Sequence, residues 1–237
     1  GFAGVRLARK LSNTKNVAVT IINSTPDFRY SPALYRAATG FKLGTARIPL
    51  EWALLDTNNT TLVVGTVTDL DKDKKQIKLA DGQRIDYDFA VFALGAVTSY
   101  FGITGLENHS FGIKTPEEVL QLKQHIHDKF TDKQAKQQNY VIVGAGATGI
   151  ELSGAIGVYL RRISKKHRMR GSHVSIYLVE AGPRILPTMS EKASAKVSKQ
   201  LRKLGIKILC DTTVSAETSH RLVTSQGTIE THNVIWT

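Results

Sequence analysis

The chain has 237 residues, of which 41% are hydrophobic, 22% charged and 7% aromatic, an ordinary globular composition that excludes a disordered or collagen-like chain. It carries 32 Lys and Arg against 20 Asp and Glu, a net charge of +12, so an anionic partner has to be considered. The single cysteine, Cys210, excludes a disulfide framework, a cysteine-ligated metal centre and a dithiol redox pair within the chain, and no metal site is expected. No targeting segment is visible at the N-terminus. No run of 18 apolar residues occurs either, and the nearest stretch, 141–160, carries Glu151 and five glycines.

In chain order, residues 2–11 read as a helix and the β-branched run 17–22 as a strand. The segment 26–40 is rich in Pro, Tyr and Ala. Residues 61–69, 75–80 and 85–94 read as strands, with Asp81-Gly82 as a hairpin turn between the last two. The run 85–95 passes from alternation into continuous apolar residues, the pattern of a strand entering a sheet covered on both faces. Thr115, Pro116, Glu117 and Glu118 supply a cap, a first-turn proline and first-turn acids for a helix to about residue 130. A polar connector, 131–139, precedes strand 140–143, helix 148–163, strand 173–180, helix 190–204 and strand 206–210. This alternation predicts an α/β protein with parallel sheets. The domain boundary falls near Ile113, giving domains 1–113 and 114–237.

The charge is uneven. Residues 1–113 hold 13 basic and 10 acidic side chains, and 114–237 hold 19 and 10. Arg161, Arg162, Lys165, Lys166, Arg168 and Arg170 form a cluster that reads as a helix C-terminus, where unpaired carbonyls favour cations, followed by a solvated loop. A patch for anionic lipid head groups is the sharper alternative. Nucleic acid ranks last, because no aromatic residues interleave with the cations and no nucleic-acid motif accompanies them.

The strongest feature is Gly144-Ala145-Gly146-Ala147-Thr148-Gly149, set between an apolar strand and an apolar helix, the context that gives G-x-G-x-x-G its meaning. The first glycine makes the turn, the second admits pyrophosphate to the backbone, and the third packs helix on strand. A plain helix-packing turn is the bland alternative. Glu180 ends the next strand, 31 residues beyond Gly149, where a carboxylate accepts hydrogen bonds from ribose hydroxyls. Its charge repels a 2′-phosphate and favours NADH over NADPH, with Arg184 as the one contrary charge. Gly1-Phe2-Ala3-Gly4 and the helix after it look like the second half of another such motif. Asn23 then stands where an acid normally takes the ribose, and its neutral amide bonds hydroxyls more weakly. Two dinucleotide motifs imply two dinucleotides, and a flavin taking hydride from a nicotinamide makes chemical sense of the pair.

With these residues in place, the chain resembles the two-dinucleotide-binding flavoproteins and, within them, the type II NADH dehydrogenases, which do not pump protons. FRYSPALYRAATG at 28–40 resembles a flavin-side loop, and YDFAVFALGA at 87–96 the strand leaving the FAD domain. TSYFGITGLENHSFGIKT at 98–115 is similar to the family's crossing segment, VEAGPRILP at 179–187 to its NADH-ribose segment, and VIWT at 234–237 to the strand before its A-G turn. The resemblance implies two Rossmann-like domains, an FAD domain with an inserted NADH domain. Both are incomplete here: a first strand, a return segment, quinone-site residues and a C-terminal membrane helix are missing, so the chain looks like a fragment.

Carried over by position, Gly1, Gly4 and Asn23 would contact FAD phosphate and ribose. Pro32 would lie against the isoalloxazine, Val67 would meet the adenine, and Ala93 and Gly95 would line the flavin site. Gly144, Gly146, Gly149 and Glu180 would hold NADH. Glu151 matches a family glutamate near the nicotinamide and quinone sites and is the catalytic candidate, its bland reading being a first-turn acid favoured by the helix dipole. Asn23 departs from the family pattern, as does Ala155-Ile156, where many members carry a second acid. The implied function is an FAD-dependent NADH:quinone oxidoreductase, peripheral on the inner face of the cell membrane, bound to the membrane through parts outside this segment, with room for a homodimer. Alternatives are another flavin reductase of the superfamily, which the lone Cys210 disfavours where a dithiol is needed, or a non-catalytic nucleotide-binding fragment. Cys210 reads as a small buried hydrophobe, and His125, His127 and His167 as surface residues.

Overall fold

The computed structural model of the protein describes residues 1–131, 137–167 and 173–237. Arg168 and Arg170 of the basic cluster, and residues 132–136 of the polar connector, lie outside them. The chain forms two compact units, one of Gly1–Tyr30 and Ala46–Ala96, the other of Ser31–Thr45 and Val97–Thr237. Segments 31–45 and 97–113 therefore pack with the second unit.

The chain opens with α1 (Phe2–Leu11) and β1 (Val19–Asn23). Residues 17 and 18 stay outside the strand because the Asn59 amide donates to the carbonyls of Leu11 and Val17 and holds them as a connector. β2 (Asp27–Arg29) follows, and after the 31–45 segment, which contains α2 (Leu34–Ala38), comes its antiparallel partner β3 (Arg47–Pro49). Beyond α3 (Leu50–Ala53), β4 (Thr60–Val64) pairs in parallel with β1. β5 (Val67–Asp71), β6 (Gln76–Leu79) and β7 (Arg84–Asp86) form an antiparallel sheet with the expected Asp81-Gly82 turn.

Two strand expectations are corrected. The single strand expected over 61–69 divides at Gly65. The Gly65 amide completes the parallel pair by donating to Asn23 O, whereas Thr66 O accepts from Ala80 N and starts the antiparallel sheet. The strand expected over 85–94 ends at Asp86, and the residues after it join no ladder. Its partner β6 begins at Gln76, opposite Asp86, and past that point only the Tyr87 amide finds a carbonyl, that of Lys75. The apolar run is consequently open rather than covered on both faces, with Phe89 93% and Leu94 88% exposed.

In the second unit, α4 (Leu106–His109) and α5 (Pro116–Thr131) precede a four-stranded parallel sheet. The start of α5 is a capping box: Glu118 N donates to Thr115 Oγ1, while Thr115 N and Lys114 N donate to Glu118 Oε2. β8 (Gln137–Val143), α6 (Ala147–Lys166), β9 (His173–Val179), α7 (Glu191–Lys203) and β10 (Ile206–Leu209) alternate as expected. β11 (Val214–Thr218), β12 (Arg221–Thr224) and β13 (Gly227–Glu230) make an antiparallel sheet that the sequence reading did not anticipate, and β14 (Asn233–Trp236) closes the chain. The parallel order is β10-β9-β8-β14. Val141, Val143, Val179 and Val234 of β8, β9 and β14 bury against Leu106 and Leu222. The α5 positions Val119, Leu122, Ile126 and Phe130 recur at helical spacing and are buried, as are Leu152, Ile156, Leu160 and Ile163 of α6. The 31–45 segment belongs here because α2 buries Leu34, Ala37 and Ala38 and packs on α5 and α6. No helix among the described residues is long and apolar enough to cross a membrane.

Thr104 bridges to Ala216 of the small antiparallel sheet, and Phe111 bridges to Ile235 of β14. Glu217 N donates to Thr104 O, and a Cβ at Gly105, whose φ is +84°, would fall 1.9 Å from the Glu217 carbonyl oxygen, so only glycine fits. The Glu217 side chain is 5% exposed and its Oε2 has no hydrogen-bond partner among the described residues. Loss of solvent pushes its carboxyl from the ordinary 4.5 up to about 8. The folded chain thus keeps this proton over a range where the unfolded chain releases it, and stability falls as pH rises from about 4.5 to about 8. Glu217→Gln should melt a few degrees above the parent at pH 8, where about 1 kcal/mol corresponds to roughly 2–4 °C, with the gap closing at pH 4.5 and below in thermal melts.

Candidate dinucleotide site at the start of α6

β8 delivers the chain into the glycine turn at its carboxyl end, the end of a parallel sheet at which α/β proteins bind ligands. Gly144 has a φ of +99°, and its amide donates to Val179 O, tying the turn to β9. A Cβ at Gly149 would lie 1.9 Å from the Gly144 carbonyl oxygen, so α6 approaches β8 as closely as backbone allows. Gly146 is the N-cap of α6, and a Cβ there would meet nothing within 4 Å. No side chain caps this helix start, which leaves its first-turn amides and the positive end of its dipole to a ligand.

Glu180 closes the turn from the next strand. Its Oε2 accepts from Ala145 N at 2.8 Å and its Oε1 from Gly182 N at 2.9 Å. Glu180 N donates to Leu209 O, and Leu186 N donates to Ala145 O, so the 180–186 loop is stitched to β10 on one side and to the glycine turn on the other. The structure therefore brings Gly144, Gly146, Gly149 and Glu180 together. It adds two groups that sequence reasoning missed. One is the Ala145 amide. The other is the Thr237 hydroxyl, 2.9 Å from Val143 O and 3.1 Å from Gly144 O, which shares its hydrogen between them. No local sequence signal marks Thr237, because its place at the turn depends on the pairing of β14 with β8.

Glu151 is exposed in the second turn of α6 and not in the first turn where it was expected, because the helix starts at Ala147, and no hydrogen bond or ion pair to it is found among the described residues. In the first unit, Gly1 caps α1, and a Cβ on Gly4 would lie 3.5 Å from Ala93 Cβ, so those two sequence-predicted residues are neighbours. Asn23 uses its amide group locally, donating to Thr25 O at 2.7 Å and to Asp27 O at 3.3 Å. Val67 is exposed at the start of β5, and Gly95 lies in the open run after β7. Pro32 belongs to the second unit, exposed in the short turn Ser31–Ala33 that leads into α2.

His125 differs from its surface expectation. It is half-buried, with Nε2 2.8 Å from Asn233 Oδ1 and its ring 4.4 Å from that of Phe111, and burial lowers its pKa. Cys210 is half-buried and free, with its thiol pKa pushed up by burial. No group of three or more His, Cys, Asp or Glu side chains among the described residues is placed to hold a metal ion.

A parallel sheet with a glycine turn, a helix start and a strand-end carboxylate at one edge defines a Rossmann-type α/β protein. The family model described as pyridine nucleotide-disulphide oxidoreductase matches residues 1–237, and the chain belongs to that family. It is 29% identical over 226 residues to the type II NADH:quinone oxidoreductase of Staphylococcus aureus, an alignment covering 91% of this chain and 56% of that protein. The chain thus spans little more than half the length of such relatives. Among solved structures, NDH2 from Plasmodium falciparum in complex with NADH matches with a TM-score of 0.83 and 20% identity, over all of this chain and 52% of that one. The sulfide:quinone oxidoreductase of Aquifex aeolicus matches with a TM-score of 0.77 and 18% identity, over all of this chain and 55% of that one. These two likenesses establish the fold.

The glycine geometry separates two substitutions. Gly149→Ala should lose about 2–4 kcal/mol of stability, because backbone blocks its methyl group. Gly146→Ala should stay within about 0.5 kcal/mol of the parent, its methyl group facing open space. Urea denaturation of the two variants measures both.

Proposed function

We propose that this chain is the nucleotide-handling part of an FAD-dependent NADH:quinone oxidoreductase. The observation that carries this reading is the uncapped start of α6 at an open Gly146, flanked by Glu180. It is supported by family membership and by likeness to relatives named for this reaction. NADH fits the turn: Gly144, Gly146 and Gly149 leave room for pyrophosphate against the α6 amides. Glu180 has one backbone donor on each oxygen, which keeps further lone pairs for the ribose hydroxyls.

In the first unit, Gly1 at the start of α1 and Gly4 beside Ala93 suit a second dinucleotide, FAD, with Gly95, Val67 and Asn23 as its further contacts. When bound, FAD supplies acceptance of hydride from NADH and passage of two electrons to an acceptor. The role of this chain is to bind and orient. The α6 amides neutralise phosphate charge, and Glu180 fixes the ribose and with it the reach of the nicotinamide. The exposed carboxylate of Glu151, one turn further along α6, holds or transfers a proton near the reacting ends. A quinone acceptor is lipid-soluble, which puts the working protein at a membrane surface, on the inner face where NADH is available.

Glu180→Ala should weaken NADH binding about tenfold, the loss of roughly 1.4 kcal/mol expected for charge-assisted ribose contacts. Titration of NADH by fluorescence measures it, and unchanged affinity removes Glu180 from the site. The full protein should be yellow and should oxidise NADH with menadione or a ubiquinone analogue. A colourless protein without NADH oxidation defeats the proposed reaction. In that assay Glu151→Gln should lower kcat about tenfold or more with NADH affinity retained, the scale of general acid–base catalysis.

A further inference from the structure

Ile103 N donates to Tyr100 O, closing a tight turn whose central residues, Phe101 and Gly102, have φ of +52° and +70°. Two positive φ values in succession are the pattern of a type I′ turn, which favours Asn, Asp or Gly in both places. Gly102 suits that backbone and Phe101 does not. A bulky side chain in the left-handed region costs stability, and such residues cluster at ligand sites. Burial offsets little of that cost here, because Phe101 is 79% exposed.

The exposed ring is nevertheless held. It lies 6.3 Å from the Trp236 ring, with 59° between the two planes. Trp236 is tied to both flanks of the turn, its Nε1 donating to Ser99 O at 2.8 Å and its N to Phe111 O at 2.9 Å. It ends β14 opposite Val143, the last residue of β8 before Gly144. Phe101 therefore stands at the carboxyl edge of the parallel sheet, beside the end of β14 and within the same unit as the glycine turn.

The strand order decides which part of a dinucleotide reaches this ring. In the NADH reading, Glu180 follows β9 and takes the adenosine ribose, and the α6 start follows β8 and takes the pyrophosphate. Given the order β10-β9-β8-β14, a ligand that runs from Glu180 past the α6 start continues toward β14, about 10 Å from β9 at two strand spacings. What remains of the ligand there is a ribose and a flat nicotinamide ring. Flat rings pack on an aromatic neighbour in offset or edge-on geometry. We propose that Phe101, braced by Trp236, seats the nicotinamide ring of the dinucleotide, an inference that rests on the NADH reading of the α6 start. Phe101 makes the contact, and Trp236 is a positioning residue that acts through it.

Calorimetric titration of NADH and of ADP-ribose, which lacks only the nicotinamide ring, into the full chain and two variants tests this. Phe101→Asn removes the ring and suits the backbone, so it should melt at or above the parent temperature. Phe101→Tyr keeps the ring. NADH should bind Phe101→Asn about tenfold more weakly than the parent, the scale of one stacked ring, with ADP-ribose affinity changed less than about twofold. Phe101→Tyr should match the parent for both ligands. Unchanged NADH affinity in Phe101→Asn overturns the proposal, as do equal losses for both ligands or a melt well below the parent, which mark a structural role. A parent that binds ADP-ribose as tightly as NADH also overturns it and leaves the Glu180 and α6 site standing. A parent that binds neither ligand defeats the NADH reading and the proposal with it.

Discussion

At Gly149 the backbone of α6 comes so near the Gly144 carbonyl that no side chain can stand between them. Much of the second unit is arranged around that contact. It sets the height of α6 on the sheet, which lets Leu152, Ile156, Leu160 and Ile163 bury along one stripe. It brings the α6 start beside the end of β9, where the Ala145 amide meets Glu180. It also leaves the Gly144 and Val143 carbonyls facing β14, where the Thr237 hydroxyl satisfies them. Where α6 begins, Gly146 and Ala147 are exposed and no side chain caps the helix.

Two carboxylates of the second unit show how differently the fold treats buried charge. Glu180 receives a backbone amide on each oxygen, so its desolvation is offset. Glu217 is buried with one oxygen unsatisfied among the described residues, and it keeps its proton instead. Glu217 therefore makes stability depend on pH, while Glu180 is held by backbone donors.

What the sequence made legible follows from how local each signal is. The glycine turn and the Thr115–Glu118 capping box are each set by neighbours within a few residues and lie where they were read, while the strand before the turn begins at Gln137, within the stretch read as a polar connector, because it pairs with β9 from His173 on. The run 85–94 has the composition of a buried strand, but strand formation needs a partner, and β6 begins opposite Asp86. The β11-β12-β13 sheet escaped notice because its strands are short and rich in Thr and Ser, with little alternation to mark a buried face. His125 was misplaced because its partners, Phe111 and Asn233, are remote in sequence. The Thr237 brace depends on the β8–β14 pairing, a register that no local pattern announces.

Amide hydrogen exchange with and without NADH addresses the α6 start most directly. If that helix start holds the pyrophosphate, exchange should slow at the amides of residues 145–150 and at Gly182, whose carboxylate partner Glu180 is then held by ribose, with little change in β11 to β13. Unaltered exchange at 145–150 under saturating NADH, or protection confined to other segments, would contradict the assignment.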